Sequence, residues 1–300
     1  PWGFWEGGSC ALISALETAL RNSGGELRTN CPVERILVRQ GRTSGVQLAS
    51  GEQIAADVVL SSLSVQQTIM ELVDEPEVTP SYRRKVSQLK RRATHTWVSF
   101  RCQDGSVPQL LEGRFVIAPN LEGIERSFDD CKYGAISRNL IFEGYAENGQ
   151  VNLQVSYTPC NSGTADTCHG EREKLKEQIQ TQLLEHVPGL QIDQASWWMM
   201  TPQDLASQHQ LDHLHHIEHS PAQLFFARPL AQYCRYDTPI NDLHLCGGST
   251  HPGGVTSGVH GSPSPLAAQP DKRRTPDNTK PTARMHASSD AYTLLASRWL

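Results

Sequence analysis

Two hydrophobic periods alternate along this chain. Near the start, Leu12, Ile13, Leu16, Ala19 and Leu20 recur at helical spacing, with Ser9 as an N-cap and Gly24-Gly25 as the stop, so the pattern predicts a helix there. Short strand-like runs follow at 26–29, 33–39, 45–48 and 53–55, with Gly41-Arg42 and Ser50-Gly51 as turns between them. Residues 57–60 read as one more buried strand, ending at Ser61-Ser62. The pattern then changes. A helical stretch at 65–73, Pro76, Pro80 and a basic helix at 82–92 lead to strands at 94–101, 114–117, 139–143 and 151–157. An amphipathic helix at 171–186 closes at Pro188-Gly189, and Leu243, Leu245 and Cys246 predict a last buried strand.

Composition narrows the classes. The 300 residues carry 38% hydrophobic residues, a net charge of -5 and a mean hydropathy of -0.44, which fits a globular chain and argues against a general nucleic-acid binder. No run reaches the length of a membrane span, and no signal-peptide pattern opens the chain. The eight cysteines include no Cys-x-x-Cys, so the expectation is reduced intracellular thiols. Because the chain opens on Pro1-Trp2 without a methionine, residue 1 is expected not to be the natural start.

The most informative segment is 243–261, where the last strand breaks into Gly247-Gly248, passes His251-Pro252 and reaches Gly253-Gly254 before Val255-Thr256. Glycines on both sides of a proline let backbone approach a flat or phosphorylated group, because no Cβ intervenes. A helix starting at Val255 would add free N–H groups and a partial positive charge, worth about 0.3–1 kcal/mol toward an anion. A glycine-rich turn that only redirects the chain fits the same spacing.

This segment resembles the C-terminal FAD-contacting signature of the phytoene desaturase and carotenoid isomerase group of flavin-dependent oxidoreductases. The resemblance extends to Trp5-Glu-Gly-Gly-Ser9, Arg35-Ile-Leu-Val38, Asp57-Val-Val-Leu-Ser61, Asp129-Asp-Cys-Lys-Tyr-Gly134, Leu224-Phe-Phe-Ala-Arg-Pro229 and Tyr233-Cys-Arg-Tyr-Asp-Thr-Pro-Ile240. It covers most of 1–262 in family order and is nearest to the subgroup of the pyridine nucleotide-disulfide oxidoreductase domain-containing protein 2 type. It implies an α/β (α+β) fold: a two-domain FAD-dependent oxidoreductase of the glutathione reductase and amine oxidase type. The domains would be an FAD-domain segment at 1–64, a substrate domain at 65–240 and an FAD-domain return at 241–266. The family's cofactor is FAD. Backbone at Gly254, Val255 and Thr256 would then approach the pyrimidine side of the flavin. Gly247 and Gly248 would clear room for the ribityl and pyrophosphate chain, and Gly253 would belong to the same cofactor-binding loop. Val33 would lie against adenine, or be ordinary strand core. The implied reaction is dehydrogenation or isomerisation of a small apolar substrate.

The chain departs from the family in three places. Val255 stands where the family favours glycine, and Ser262-Pro-Ser-Pro265 breaks the last helix. Residues 267–300, with Pro270, Pro276 and Pro281, are expected to be disordered, and a foreign or frameshifted end is an alternative origin for them. No two glycines are separated by one residue, so the Gly-x-Gly-x-x-Gly cradle of an N-terminal Rossmann βαβ unit is absent from the chain. The expectation is a fragment of a longer flavoenzyme, the alternative a non-catalytic remnant that has lost its cofactor cradle.

Other residues carry open readings. His209, His213, His215, His216 and His219 with Asp212 suggest zinc, but they align with a family loop that has no metal role, so no metal is expected. Arg228 suits a carboxylate at a domain interface, or substrate. His251 suits a hydrogen bond near the flavin, or a turn. The run Arg83-Arg84-Lys85 with Lys90-Arg91-Arg92 suits a solvated face, or peripheral contact with an anionic membrane, cytoplasmic or mitochondrial. No Gly-x-Ser-x-Gly nucleophile pattern occurs.

Overall fold

The computed structural model describes residues 8–92, 94–159, 165–209, 217–234, 236–253 and 293–295, with backbone only at 8–9, 165–170, 208–209 and 293–295. The chain divides into two compact units, Pro1–Gln88 with Leu224–Leu300, and Leu89–Gln223.

The first unit opens with helix α1 (Gly8–Asn22) and an antiparallel sheet of β1 (Val33–Arg39), β2 (Arg42–Leu48) and β3 (Gln53–Ala55). Gly45, at φ +140, lets β2 and β3 approach: a Cβ there would lie 2.1 Å from the Ile54 carbonyl oxygen. Strand β4 (Val59–Ser61) runs into a π-helical turn at Gln67–Glu71 and then helix α2 (Pro80–Ser87). Thr79 caps α2 by accepting from the Tyr82 amide, and Pro80 occupies the first turn, where its missing N–H costs nothing. Arg83 Nη1 donates to the Ile69 and Val73 carbonyls, so α2 is tied to the π turn.

The second unit is built on one antiparallel sheet. Its strands are β5 (His95–Cys102), β6 (Gly113–Ile117), β7 (Ile141–Glu147), β8 (Gln150–Ser156) and β9 (Ile192–Met200), in the order β6-β7-β8-β5-β9. Helix α3 (Leu121–Lys132) follows β6, α4 (Ala165–His186) follows β8 and α5 (Pro202–His209) follows β9. Alternation sends Val98, Phe100, Phe142, Val151, Leu153 and Val155 to one face, where they join Leu175, Ile179 and Leu183 of α4 in one buried cluster. Each such side chain contributes about 1.5–3 kcal/mol by burial. The two segments that enter and leave this unit are laced together. Lys90 N donates to Gln223 Oε1 at 2.7 Å, and Gln223 Nε2 returns a bond to the Lys90 carbonyl at 3.0 Å. Arg92 forks onto the buried Glu218 carboxylate at 2.8 Å on both sides and lies over the Phe128 ring.

The chain returns to the first unit with β10 (Leu243–Leu245), parallel to β4 with Leu243 opposite Val59 and Leu245 opposite Ser61. Strand β11 (Thr293–Leu295) pairs parallel with the other side of β4. It lies within the tail expected to be disordered; the rest of 267–300 lies outside the described residues. Among the described residues no helix is long and apolar enough to cross a membrane.

Several expectations are corrected. Residues 26–29 form no strand; Arg28 instead forks onto Glu52, and Asn30 turns the chain at φ +58 before β1. The basic helix ends at Ser87, because Lys90 and Arg92 are held in extended chain by Gln223 and Glu218. The middle unit is shorter than 65–240 at both ends. At its start, the Ile36 amide donates to the Leu72 carbonyl; at its end, 225–236 binds the loop after β10. Helix α3 and strand β9 were not foreseen. Asn120 signals the former, accepting from the Gly123 amide at 2.9 Å.

Candidate cofactor site

Strands β4 and β10 are parallel and end together, and the Cys246 amide donates to the Ser61 carbonyl just past their ends. The loops that follow therefore leave the sheet side by side at its carboxyl edge. Open parallel sheets bind ligands at that edge, outside the strand ends. Buried polar side chains collect there: Ser61 and Thr68 share a hydrogen bond of 2.7 Å, and Ser64 Oγ donates to Gln67 Oε1 at 3.1 Å.

The loop after β10 has a defined frame. Gly247 (φ +98) and Gly253 (φ +92) occupy the left-handed region, which only glycine enters without strain. The Gly247 carbonyl accepts from both the amide and the hydroxyl of Thr250. The Gly248 carbonyl accepts from Arg228 Nε and Nη2 at 2.7 and 2.5 Å. The His251 carbonyl accepts from Tyr236 Oη at 3.1 Å, and the Pro252 carbonyl from the Phe225 amide at 3.3 Å. Phe225 and Tyr236 are themselves left-handed, at φ +50 and +70, a strained setting for aromatic residues that costs on the order of 1–3 kcal/mol. Among the described residues the amides of Gly248, Ser249, His251 and Gly253 donate to no backbone carbonyl.

Arg228 is fully buried, and burial pushes its guanidinium down to about 10, so it stays cationic at neutral pH. Its stem lies under Gly253, where a Cβ would come within 2.7 Å of Arg228 Cδ. Gly253 is thus required by protein packing as well as by φ, and close approach of a cofactor is not its only explanation. Ser249 is buried, and among the described residues its Oγ has no hydrogen-bond partner. Such a leftover donor is what a cofactor's ribityl or phosphate oxygen would satisfy, so the loop fits an oxygen-rich ligand. Burial pushes the Cys246 thiol up to about 11, so it stays protonated just past the end of β10.

The expected site residues divide accordingly. Gly247, Gly248 and Gly253 lie together in this loop, while Val33 begins β1, opposite Leu48. Gly254, Val255 and Thr256 lie outside the described residues. So do His213, His215 and His216; His219 is exposed, and among the described residues no cluster suited to a metal occurs. Ser249, Phe225 and Tyr236 were not singled out as site residues. Phe225 and Tyr236 act through backbone carbonyls of the loop, and no spacing in the sequence announces that.

The second unit offers a different surface. Opposite its core, the sheet presents Trp97, Tyr145 and Trp198 among polar residues. His95 lies in this face. Gln154 Nε2 and Ser156 Oγ approach its Nδ1 at 3.0 and 3.2 Å. An amide nitrogen can only donate, so Nδ1 accepts and the ring carries its proton on Nε2. Burial first, and His219 second, push this histidine down to about 4, leaving it neutral at physiological pH.

The pattern of the family described as flavin containing amine oxidoreductase matches residues 3–262. The chain is 26% identical over 295 residues to mouse (Mus musculus) pyridine nucleotide-disulfide oxidoreductase domain-containing protein 2, covering 87% of this chain and 50% of that protein. It is 27% identical over 282 residues to the lycopene-forming phytoene desaturase of Pseudescherichia vulneris, covering 89% of this chain and 56% of the desaturase. The chain spans about half the length of the curated relatives it matches. A solved oxidoreductase from Methanosarcina mazei shares the fold at TM-score 0.54 and 16% identity, over 82% of this chain and 50% of that one.

Proposed function

Because the chain belongs to the flavin containing amine oxidoreductase family, we propose that it is the C-terminal portion of a phytoene desaturase-like, FAD-dependent oxidoreductase. Its substrate is apolar, and the reaction is a dehydrogenation or a redox-neutral isomerisation. The observation that carries this reading is the loop at the shared end of β4 and β10, with its carbonyls captured by protein donors and Ser249 Oγ beside them without a partner among the described residues. Bound there, FAD supplies the hydride-accepting chemistry, and the protein supplies binding, orientation and exclusion of water.

The chain's own residues divide the work. The amides of Gly248, Ser249, His251 and Gly253 and Ser249 Oγ hold the ribityl and pyrophosphate oxygens, Val33 lies toward adenine, and Gly254, Val255 and Thr256 lie toward the pyrimidine. The aromatic face of the second unit takes the apolar substrate, and His95 within that face, neutral at physiological pH, places no charge in an apolar setting. A Rossmann βαβ unit carrying the Gly-x-Gly-x-x-Gly cradle belongs to the remainder of the protein.

The test is to isolate from its native source the protein that carries this chain, and record its absorption spectrum before and after adding polyene or apolar amine substrates under anaerobic conditions. A bound flavin that bleaches with one of them is the expected result. A colourless protein that takes up no added FAD overturns the reading and leaves a non-catalytic remnant.

A further inference from the structure

We infer that Arg228 and Tyr236 are positioning residues that fix the polarity of the loop at 247–253, turning its carbonyls toward the protein and leaving its amides for the cofactor's oxygens. The inference rests on the flavin reading for the identity of the ligand, but not for the frame itself. A short glycine loop can present either face of its peptide units, since its peptide planes flip at little steric cost where no Cβ interferes. Here the choice is made by donors from one segment, 225–236. Arg228 takes the Gly248 carbonyl with two guanidinium donors, Tyr236 takes the His251 carbonyl with its hydroxyl, and Phe225 takes the Pro252 carbonyl with its amide.

These contacts are not incidental to packing. Two of the three donor residues are aromatics held in the left-handed region, and the third is a wholly buried arginine. The chain thus accepts backbone strain and a desolvated cation in order to hold these peptide planes. Arg228 also fills the space under Gly253, so the loop cannot settle into a conformation that needs that space. The result is a row of amides, at Gly248, Ser249, His251 and Gly253, with no backbone acceptor among the described residues. Consecutive backbone amides, as at Gly248 and Ser249, can form a concave anion site. The chemistry recognised is therefore negatively charged or carbonyl oxygen: the cofactor's pyrophosphate, or the carbonyls of its flavin ring.

The experiment compares the holoprotein with Tyr236→Phe, Arg228→Lys and Arg228→Met, using two readouts. The first is flavin-independent: amide hydrogen exchange over 244–253 in protein stripped of cofactor. Tyr236→Phe and Arg228→Met are expected to accelerate exchange in this segment while strands β5 and β8 keep their protection. The second is affinity for FAD and for riboflavin, which lacks phosphates. Losing one neutral hydrogen bond in Tyr236→Phe should weaken FAD binding about 3–10-fold, and Arg228→Met about 10–100-fold. Arg228→Lys should recover part of the loss, because it keeps a cationic donor; a role in packing alone predicts no such recovery. A loss confined to FAD places the amides on the pyrophosphate, and an equal loss for riboflavin places them on the ring. Unchanged exchange in both Tyr236→Phe and Arg228→Met overturns the frame. Faster exchange with unchanged FAD affinity overturns its role in cofactor binding. If the stripped wild-type protein binds no FAD, the flavin reading and the ligand named here fall together, while the exchange data still decide the frame.

Discussion

The loop at 247–253 and the sheet of the second unit solve opposite problems with opposite means. The sheet is regular: alternate residues enter one core, strand neighbours satisfy the backbone, and its stability follows from buried area. The loop has almost no regular structure. Its carbonyls are met one by one by Arg228, Tyr236, Phe225 and Thr250, and its shape depends on left-handed residues. Regular elements spread their energy over many exchangeable contacts. A loop that must display amides concentrates it in a few contacts that have no substitutes.

That contrast gives predictions that decrease in size. Phe142→Ala should cost about 3–5 kcal/mol of unfolding free energy, measured by denaturant titration, because it empties a fully buried site between strands and α4. Exchange over 244–253 should not change in that variant; if it does, the two regions are not independent in energy. Glu218→Gln should cost about 2 kcal/mol. It leaves Arg92 without its buried carboxylate, and the partial exposure of Arg92 keeps the loss below that of a fully buried pair. Gly253→Ala should cost about 1–2 kcal/mol, since the new methyl meets Arg228 and the residue sits at φ +92. Its effect should appear as faster local exchange in the loop and weaker FAD binding, with the sheet unaffected.

The same contrast explains what the sequence revealed. Strands β5, β7 and β8 were legible because alternation is written in residue type, as in Thr96, Val98 and Phe100 against Trp97 and Ser99. The parallel pair β4 and β10 was legible as buried apolar runs, and the glycine loop as a resemblance. The frame of that loop was not, because Tyr236 and Phe225 bind carbonyls, which every residue carries. Arg228 was noticed as a charge, and its role in the frame, a bond to a backbone oxygen 20 residues away in sequence, is not written in its residue type. The basic helix was misjudged for a similar reason. Lys90 and Arg92 are good helix formers, and tertiary bonds from Gln223 and Glu218 override that propensity.

The last effect appears only in acid and belongs to the sheet. His95 has its affinity for a proton lowered from the usual 6.5 to about 4 by folding, so its neutral form is the one the fold favours. Its contribution to stability is complete above pH 6.5 and is lost as pH falls from there toward about 4. NMR of the imidazole should show the Nε2–H tautomer throughout that window, and His95→Gln should flatten the acid limb of the stability curve. A ring that titrates near 6.5 would mean the Gln154 and Ser156 contacts do not hold it neutral.

One measurement separates the two regions and tests the flavin reading together: amide hydrogen exchange of the stripped protein with and without saturating FAD, read peptide by peptide. The account predicts that FAD slows exchange over 244–253 while core strands β5 and β8 stay as they were. An unchanged loop, or protection confined to the sheet, would contradict it.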